Sequence, residues 1–174
     1  MLVQSEFLGN MAHTMDQKGR VTIPAVYREA LGPSFYIGMN TAFSAIALYT
    51  REKWESMRAW LDAFPASDAR ATNYARLIKA NIFSGETDSQ GRVLIPTTLR
   101  TLAGINKAIR FVGMGQYLEV WDEERYASEQ EKALSSIADL LSYVNDKYSQ
   151  GQEGESCMQR QSFIQYDSNR GSAA

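Results

Sequence analysis

Residues 16–24 read Asp-Gln-Lys-Gly-Arg-Val-Thr-Ile-Pro, and 72 positions later residues 88–96 read Asp-Ser-Gln-Gly-Arg-Val-Leu-Ile-Pro. When the comparison is extended to residues 16–32 and 88–104, 8 of 17 positions are identical. Repetition over such a span indicates two copies of one structural unit. We therefore expect a fold with pseudo-two-fold symmetry that carries the same loop twice.

Each copy is predicted to form a β-hairpin, a short helix and two further strands. Asp16 and Gly19 favour a tight turn, and Pro24 ends a strand and suits the first turn of a helix. The elements of the first copy are a strand over residues 7–15, a turn over 16–19, a strand over 20–23, a helix over 25–31 and strands over 35–37 and 45–49. The second copy repeats this order with a turn at Gly91, a strand over residues 92–95, a helix ending at Ala103 and strands over 109–112 and 117–121.

The spacing of apolar residues predicts which side chains face the core. Alternation along the first strand places Phe7, Met11 and Met15 on its buried face. The flanking helices have apolar stripes at helical spacing. These stripes are Trp54, Met57, Leu61 and Phe64 in a helix over residues 52–64, then Tyr74, Leu77 and Ile78 in a helix capped by Ser67, and then Tyr126, Ala133, Leu134, Ile137, Leu140, Leu141 and Val144 in one helix that begins at Asp122.

The two units are expected to complete each other. One unit of four strands would leave its sheet edges open, whereas two units can interleave their hairpins into a compact barrel. We predict an α+β fold with a first repeat over residues 7–80 and a second repeat, including a C-terminal helix, over residues 81–147. Ser, Gln, Gly, Glu and Asn dominate residues 148–174, which predicts a disordered tail.

Composition favours a cytoplasmic protein. The longest apolar runs fall far below the ~18 residues that a membrane span needs. Residues 1–6 have neither the basic start nor the apolar stretch of a signal peptide. The single cysteine, Cys157, excludes an internal disulfide framework and fits a reducing compartment.

The net charge of −2 argues against a nucleic-acid partner, because such proteins usually have a basic surface. The charge is unevenly distributed, however. Residues 127–174 carry a net charge of −3, so that residues 1–126 sum to +1. The whole-chain charge therefore understates how basic a local surface can be.

The duplicated motifs resemble those of the MraZ family, within the wider AbrB/SpoVT-like class of swapped-hairpin transcription factors. The first copy carries Phe7, Gly9, His13-Thr14, Asp16, Lys18-Gly19-Arg20, Ile23-Pro24 and Tyr27-Arg28-Glu29, and the second carries Phe83-Ser84-Gly85, Asp88, Gln90-Gly91-Arg92-Val93, Ile95-Pro96 and Leu99-Arg100. The resemblance covers roughly residues 7–145. It implies a double-split β-barrel with flanking helices, assembled into a ring of subunits. It also implies a cytoplasmic, nucleoid-associated regulator of the division and cell-wall gene cluster, which binds direct repeats in its own promoter. Our leading hypothesis is a sequence-specific DNA-binding regulator that acts as a repressor, although the sequence leaves activation open.

The loops offer the chemistry that such a regulator needs. The candidate DNA-binding residues are Lys18, Arg20, Gln90 and Arg92 in the loops, and Arg28 and Arg100 on the short helices. Arginine can bind guanine O6 and N7 through two hydrogen bonds or hold a phosphate, and lysine suits phosphate contacts. The helix arginines are candidates because matching positions in the wider class contact DNA, although each could equally form a structural ion pair.

The two loops are not equivalent. The second loop has Gln90 where the first has Lys18, so we expect the first loop to carry more of the DNA binding. Two cations per subunit bind DNA weakly, because each neutralised phosphate adds only about −0.9 to the salt slope. A ring would present many loops to tandem repeats, and avidity would then replace single-site affinity.

Two other classes of function compete with this interpretation. One is an antitoxin-like module that binds a partner protein through its acidic C-terminal helix and tail. The other is an enzyme, but the sequence shows no Ser/His/Asp, Cys/His or phosphate-loop constellation, and His13 has no metal-ligand partners nearby. We therefore expect no catalysis, no cofactor, no metal, no membrane partner and no small-molecule substrate.

Overall fold

A computed structural model describes residues 6–148 as eight strands and six helices. The elements are β1 Asn10–Thr14, β2 Arg20–Thr22, α1 Ala25–Leu31, β3 Ser34–Met39, β4 Ile46–Tyr49, α2 Arg51–Asp62, α3 Ala69–Ala80, β5 Phe83–Glu86, β6 Arg92–Leu94, α4 Thr97–Ala103, β7 Ala108–Gly113, β8 Tyr117–Asp122, α5 Glu123–Ser135 and α6 Ile137–Tyr148. The chain divides into two compact units, of which one ends at Ser128 and the other begins at Glu129. The predicted α+β class is confirmed.

Strands of the two repeats are mixed within the sheets of the first unit. The larger sheet has the order β1-β7-β8-β4-β3-β5, and a second sheet pairs β2 with β6, all antiparallel. The opening strand of each repeat thus pairs with a strand of the other repeat. Among the described strands, β1 and β5 are the two ends of the larger sheet, so these pairings do not close a barrel.

The predicted β-hairpins are wrong in one respect, because β1 does not pair with β2, nor β5 with β6. The turns do form: Asp16 N–H donates to the Arg20 carbonyl at 2.9 Å, and Asp88 N–H donates to the Arg92 carbonyl at 2.8 Å. Beyond each turn the two strands separate into different sheets. Strands of the other repeat compete with the neighbouring strand as pairing partners, and a local turn sequence does not show which partner a strand will take.

The core repeats with the sequence. Residues 72 positions apart are buried together in one apolar cluster. These pairs are Val21 and Val93, Ile23 and Ile95, Tyr27 and Leu99, Leu31 and Ala103, Ile37 and Ile109, Met39 and Phe111, Ile46 and Leu118, and Leu48 and Val120. Each large apolar side chain contributes roughly 1.5–3 kcal/mol on full burial, so both repeats are needed for the stability of this core.

A second apolar cluster lies beneath α2 and α3. Trp54, Met57 and Leu61 are buried as predicted, but Leu77 is 49% exposed and Ala75 packs inward in its place. Helix α3 begins one residue later than predicted, because the Asp68 carboxylate, and not the Ser67 hydroxyl, accepts the N–H groups of the first turn.

Two other predicted apolar faces differ from the structure. Phe7 and Met15 are buried, but Met11 is 38% exposed, since β1 is an end strand with a neighbour on one side only. The helix predicted from Asp122 is two helices, α5 and α6, separated at Ser136. The hydroxyls of Ser135 and Ser136 both donate to the Lys132 carbonyl, which competes with regular helical bonding. The predicted stripe is exposed at Leu134, Ile137, Leu140, Leu141 and Val144.

Two sequence predictions lie outside the described residues. They concern residues 149–174 of the predicted tail and the cysteine at position 157, whereas Tyr148, the first residue of that predicted tail, instead ends α6. None of the helices in residues 6–148 has the length and apolar character that crossing a membrane requires.

Candidate nucleic-acid interface

The two loops have the same internal hydrogen bonds. In the first, Oδ1 of Asp16 accepts the N–H groups of Lys18 at 2.8 Å and Arg20 at 2.9 Å. In the second, Oδ1 of Asp88 accepts from Gln90 and Arg92, each at 2.9 Å. Such bonds from an Asp side chain to the following backbone define a tight, rigid turn.

Each loop aspartate also holds the arginine four residues later. Oδ2 of Asp16 lies 2.8 Å from both Nε and Nη2 of Arg20. Oδ2 of Asp88 lies 2.8 Å from Nε and 2.7 Å from Nη2 of Arg92. Hydrogen bonds between ionised partners are short and directional, so each carboxylate orients the guanidinium of its arginine. The two arginine side chains remain 30% and 28% exposed.

These contacts keep the loop carboxylates ionised. The backbone N–H of Arg20, followed by its guanidinium, lowers the pKa of Asp16. The guanidinium of Arg92 and then its backbone N–H lower the pKa of Asp88 to about 2. Both carboxylates therefore carry a full negative charge at neutral pH.

The structure places the two loops at the two ends of the short β2–β6 ribbon. In the β2–β6 ribbon, Arg20 lies opposite Leu94 and Thr22 lies opposite Arg92. The carbonyl of Gly91 accepts the N–H of Ile23 at 3.0 Å, and the carbonyl of Gly19 accepts the N–H of Ile95 at 2.9 Å. The inward face of the ribbon is core, and its outward face carries the two arginines, Thr22 and the 58% exposed Leu94.

The helix arginines cross to the opposite repeat. Gly19 and Gly91 are buried at φ +80° and +73°, a region that favours glycine. A Cβ on Gly19 would lie 2.8 Å from Cζ of Arg100, and a Cβ on Gly91 would lie 2.7 Å from Cζ of Arg28. Each glycine thus lets a guanidinium of the other repeat rest on the loop backbone.

The other four candidate residues lie close to the loop arginines. Lys18 and Gln90 are exposed at the loop tips, where no side-chain bond to another described residue holds them. Arg100 donates from Nε to the Ile95 carbonyl at 3.2 Å and from Nη2 to Thr97 at 2.8 Å, whereas Arg28 is exposed without such a bond in residues 6–148. All six predicted residues therefore lie in or against the two loops.

Sequence reasoning missed two features of this surface. It treated the loop aspartates only as turn residues, although an Asp four residues before an Arg in both copies was a signal for the pairing. It also missed that the helix arginine of one repeat packs on the loop of the other. No sequence signal indicates that exchange, since it depends on which strands pair.

Two other polar side chains, Glu119 and His13, have partners within the fold. The buried Glu119 accepts bonds from Asn40 and Trp121, each at 2.8 Å. His13 packs edge-on against Phe111. No group of three or more His, Cys, Asp or Glu side chains in residues 6–148 is arranged to hold a metal ion. An open cavity of about 330 Å³ is lined by Thr41, Tyr49, Lys53, Ser56, Met57, Trp60 and Tyr117.

Comparison with known proteins identifies similar chains. A protein-family model described as "MraZ protein, putative antitoxin-like" matches residues 7–77 and 80–141. A protein of Acetivibrio thermocellus is 35% identical over 143 residues, which cover 79% of this chain and 98% of that protein. A protein of Lactiplantibacillus plantarum is 36% identical over 142 residues, with 80% and 99% covered. A protein of Legionella pneumophila is 35% identical over 138 residues, with 77% and 91% covered. Each of the three is named transcriptional regulator MraZ.

Proposed function

Because this chain belongs to the MraZ family, we propose that it is a transcriptional regulator that binds double-stranded DNA in a sequence-specific manner and represses its target genes. The observation that carries the proposal is the pair of loops with the same internal hydrogen bonds, which the β2–β6 ribbon joins end to end. The relatives' names support regulation, and the loop geometry supports DNA as the direct partner.

The shape and charge of the loop surface suit the DNA major groove. A two-stranded antiparallel ribbon fits that groove, and arginine is the side chain that most often reads guanine there. Five cations and two carboxylates meet at the surface, which gives it a local net charge of +3 on a chain of net charge −2. The cations are Lys18, Arg20, Arg28, Arg92 and Arg100, and the carboxylates are Asp16 and Asp88.

Assembly is part of the proposal. We infer a ring of subunits on direct repeats in the chain's own promoter, with the division and cell-wall gene cluster as target and the cytoplasmic nucleoid as location. A local charge of +3 gives a single subunit little affinity at physiological salt, and many loops on tandem sites would supply the rest. We also propose the double-split barrel, with repeats over residues 7–80 and 81–147, as the architecture of each subunit. The role is a binding one, without catalysis.

A binding titration tests the proposal. The intact protein is titrated into the DNA segment that precedes its own coding sequence, with the variants Arg20→Ala and Arg92→Ala measured separately. We expect both variants to weaken binding. Arg20→Ala should weaken it more strongly, because the first loop, which also has Lys18, is expected to carry more of the DNA binding. Arg58→Ala removes one exposed charge from α2 and serves as the matched control. Unchanged binding in both loop variants would contradict the site.

A second candidate function has one observation in its favour. The description of the matching family model includes the term antitoxin-like, and an antitoxin would act on a partner protein. The same titration separates the two candidates. If the intact protein binds no upstream DNA at any concentration, the partner-binding function is favoured over the regulatory one.

A further inference from the structure

The pairing of aspartate with arginine is the one feature of the loops that DNA affinity alone does not explain. A carboxylate beside each loop arginine repels the DNA backbone and lowers attraction to any phosphate. Both repeats nevertheless keep the pair at the same spacing and with the same atoms in contact. A function that benefits from the carboxylates must therefore be sought in how they orient the arginines.

The two oxygens of each aspartate have separate tasks. Oδ1 accepts the backbone N–H groups and shapes the turn, whereas Oδ2 binds Nε and Nη2 of the arginine. An arginine side chain has five N–H groups. Two of them point at the aspartate. The remaining three are both groups of Nη1 and the second group of Nη2.

Nη1 and the free N–H of Nη2 form the end of the guanidinium fork. Neither Arg20 nor Arg92 uses Nη1 in a hydrogen bond to another described residue. The end of the fork presents two parallel N–H groups, the arrangement that matches O6 and N7 of guanine. The aspartate thus occupies the side of the fork and leaves the base-reading end free.

We propose that Asp16 and Asp88 are positioning residues for base recognition, which hold Arg20 and Arg92 so that the end of each guanidinium faces guanine in the major groove. This inference rests on the proposed function and identifies what its loops read. The carboxylates also keep the arginines from turning to a neighbouring phosphate, which would bind any sequence equally well.

The ribbon fixes the spacing of the bases. Arg20 and Arg92 are diagonal neighbours in the antiparallel ribbon, because they are two residues apart in register. The Cα atoms of such neighbours lie about 7–8 Å apart. Successive base pairs rise about 3.4 Å, so the two arginines match guanines about two base-pair steps apart. The preferred site of one subunit should contain such a pair.

Asparagine variants test the role of the carboxylates. Asp16→Asn, Asp88→Asn and the double variant keep an Oδ1 that accepts the backbone N–H groups but lose the charge that holds the guanidinium. Fluorescence anisotropy at constant salt would give the Kd of the intact protein for its upstream duplex and for a shuffled duplex of the same length and composition. We expect the ratio of the two Kd values to fall about tenfold per loop, as expected for a misplaced contact between arginine and guanine.

The Kd for the shuffled duplex distinguishes a positioning role of the aspartates from a purely structural one. Removal of a negative charge should strengthen binding to that duplex, whereas a purely structural role would weaken binding to both duplexes together. Asp62→Asn is the matched control, because it removes one carboxylate from an ion pair with Lys79, at the end of α2. It should leave the ratio unchanged, and the melting temperature of each variant checks that it folds.

Each outcome decides the matter. If the wild type discriminates between the duplexes and both Asn variants discriminate equally well, the positioning role is wrong while the proposed function stands. Equal losses on both duplexes, with a lower melting temperature, would also overturn the positioning role. If the wild type binds both duplexes alike, sequence-specific regulation fails and the positioning role fails with it.

Discussion

Gly19 and Gly91 show how single positions set the interface. Each adopts a positive φ and lies under an arginine of the other repeat. The nearest atoms belong to the flexible end of that arginine, which can swing aside at little cost. We therefore attribute two separable effects to these glycines, one on backbone strain and one on the placement of Arg28 and Arg100.

Gly19→Ala and Gly91→Ala should separate these effects. Each should cost about 1–2 kcal/mol of unfolding free energy, because an L-residue is strained at this φ. Gly9→Ala is the control, since Gly9 has φ +76° and no atom within 4 Å of its Cβ position. Urea unfolding should give similar losses for all three, and only the loop variants should lose DNA affinity. Equal DNA affinity in all three variants would show that the placement of Arg28 and Arg100 over the loops does not affect DNA binding.

The loop carboxylates predict a pH dependence of stability. The pKa of Asp88 in the folded state is about 2, below the value of 3.8 for an unperturbed side chain. A group with a lowered pKa stabilises the folded state above its unfolded pKa, and that stabilisation is lost as the pH falls. The window for Asp88 therefore runs from about pH 4 down to about pH 2.

Urea unfolding of the wild type and Asp88→Asn between pH 6 and pH 2.5 measures this contribution. The difference in unfolding free energy should be constant above about pH 5 and shrink below about pH 4, as the wild-type carboxylate becomes protonated. A difference that does not change with pH would show that the charged pair with Arg92 adds nothing to the fold.

Helix ends illustrate what the sequence predicts well and where it fails. Helix α1 has the predicted bounds, because Pro24 has a fixed φ at its start and Gly32 adopts a positive φ of 77° that ends it. Helix α3 does not, because Ser67 and Asp68 are both acceptable caps and only the folded chain decides between them. The strand pairs fail for a stronger reason, since the partners of β1 and β2 lie in the other repeat.

The cap of α3 gives a direct comparison of neighbours. Asp68→Ala should lower the unfolding free energy by about 1 kcal/mol, because the N–H groups of Arg70 and Ala71 lose their acceptor. Ser67→Ala should be close to neutral. Urea denaturation of the two variants checks the assignment, and the reverse order of effects would favour the cap predicted from the sequence.

The exchange of strands makes the two repeats interdependent. The pairs β1–β7, β2–β6, β3–β5 and β4–β8 all join one repeat to the other, and the main core takes side chains from both. The sequence predicted this interdependence from the open edges of a single unit. It could not predict the order of strands, or that each helix arginine would cover the loop of the opposite repeat.

Separate fragments should therefore fail to fold as monomers. We expect residues 1–80 and 81–148, expressed separately, to lack the circular dichroism and the cooperative melting of the whole chain. Mixed at equal concentration, they should recover both, because each supplies the strands that the other lacks. A fragment that folds as a stable monomer with native-like melting would contradict the shared core.

Guanine protection tests most directly whether the two loops together read DNA. Dimethyl sulfate modifies guanine N7 in the major groove, which is the atom that Arg20 and Arg92 are expected to cover. With the upstream duplex saturated by protein, we predict protected guanines in pairs about two base-pair steps apart. Arg20→Ala and Arg92→Ala should each expose one member of a pair, and Arg58→Ala neither. Full protection of both guanines in the two loop variants would contradict the account. So would the absence of any protected guanine when the wild-type protein is bound.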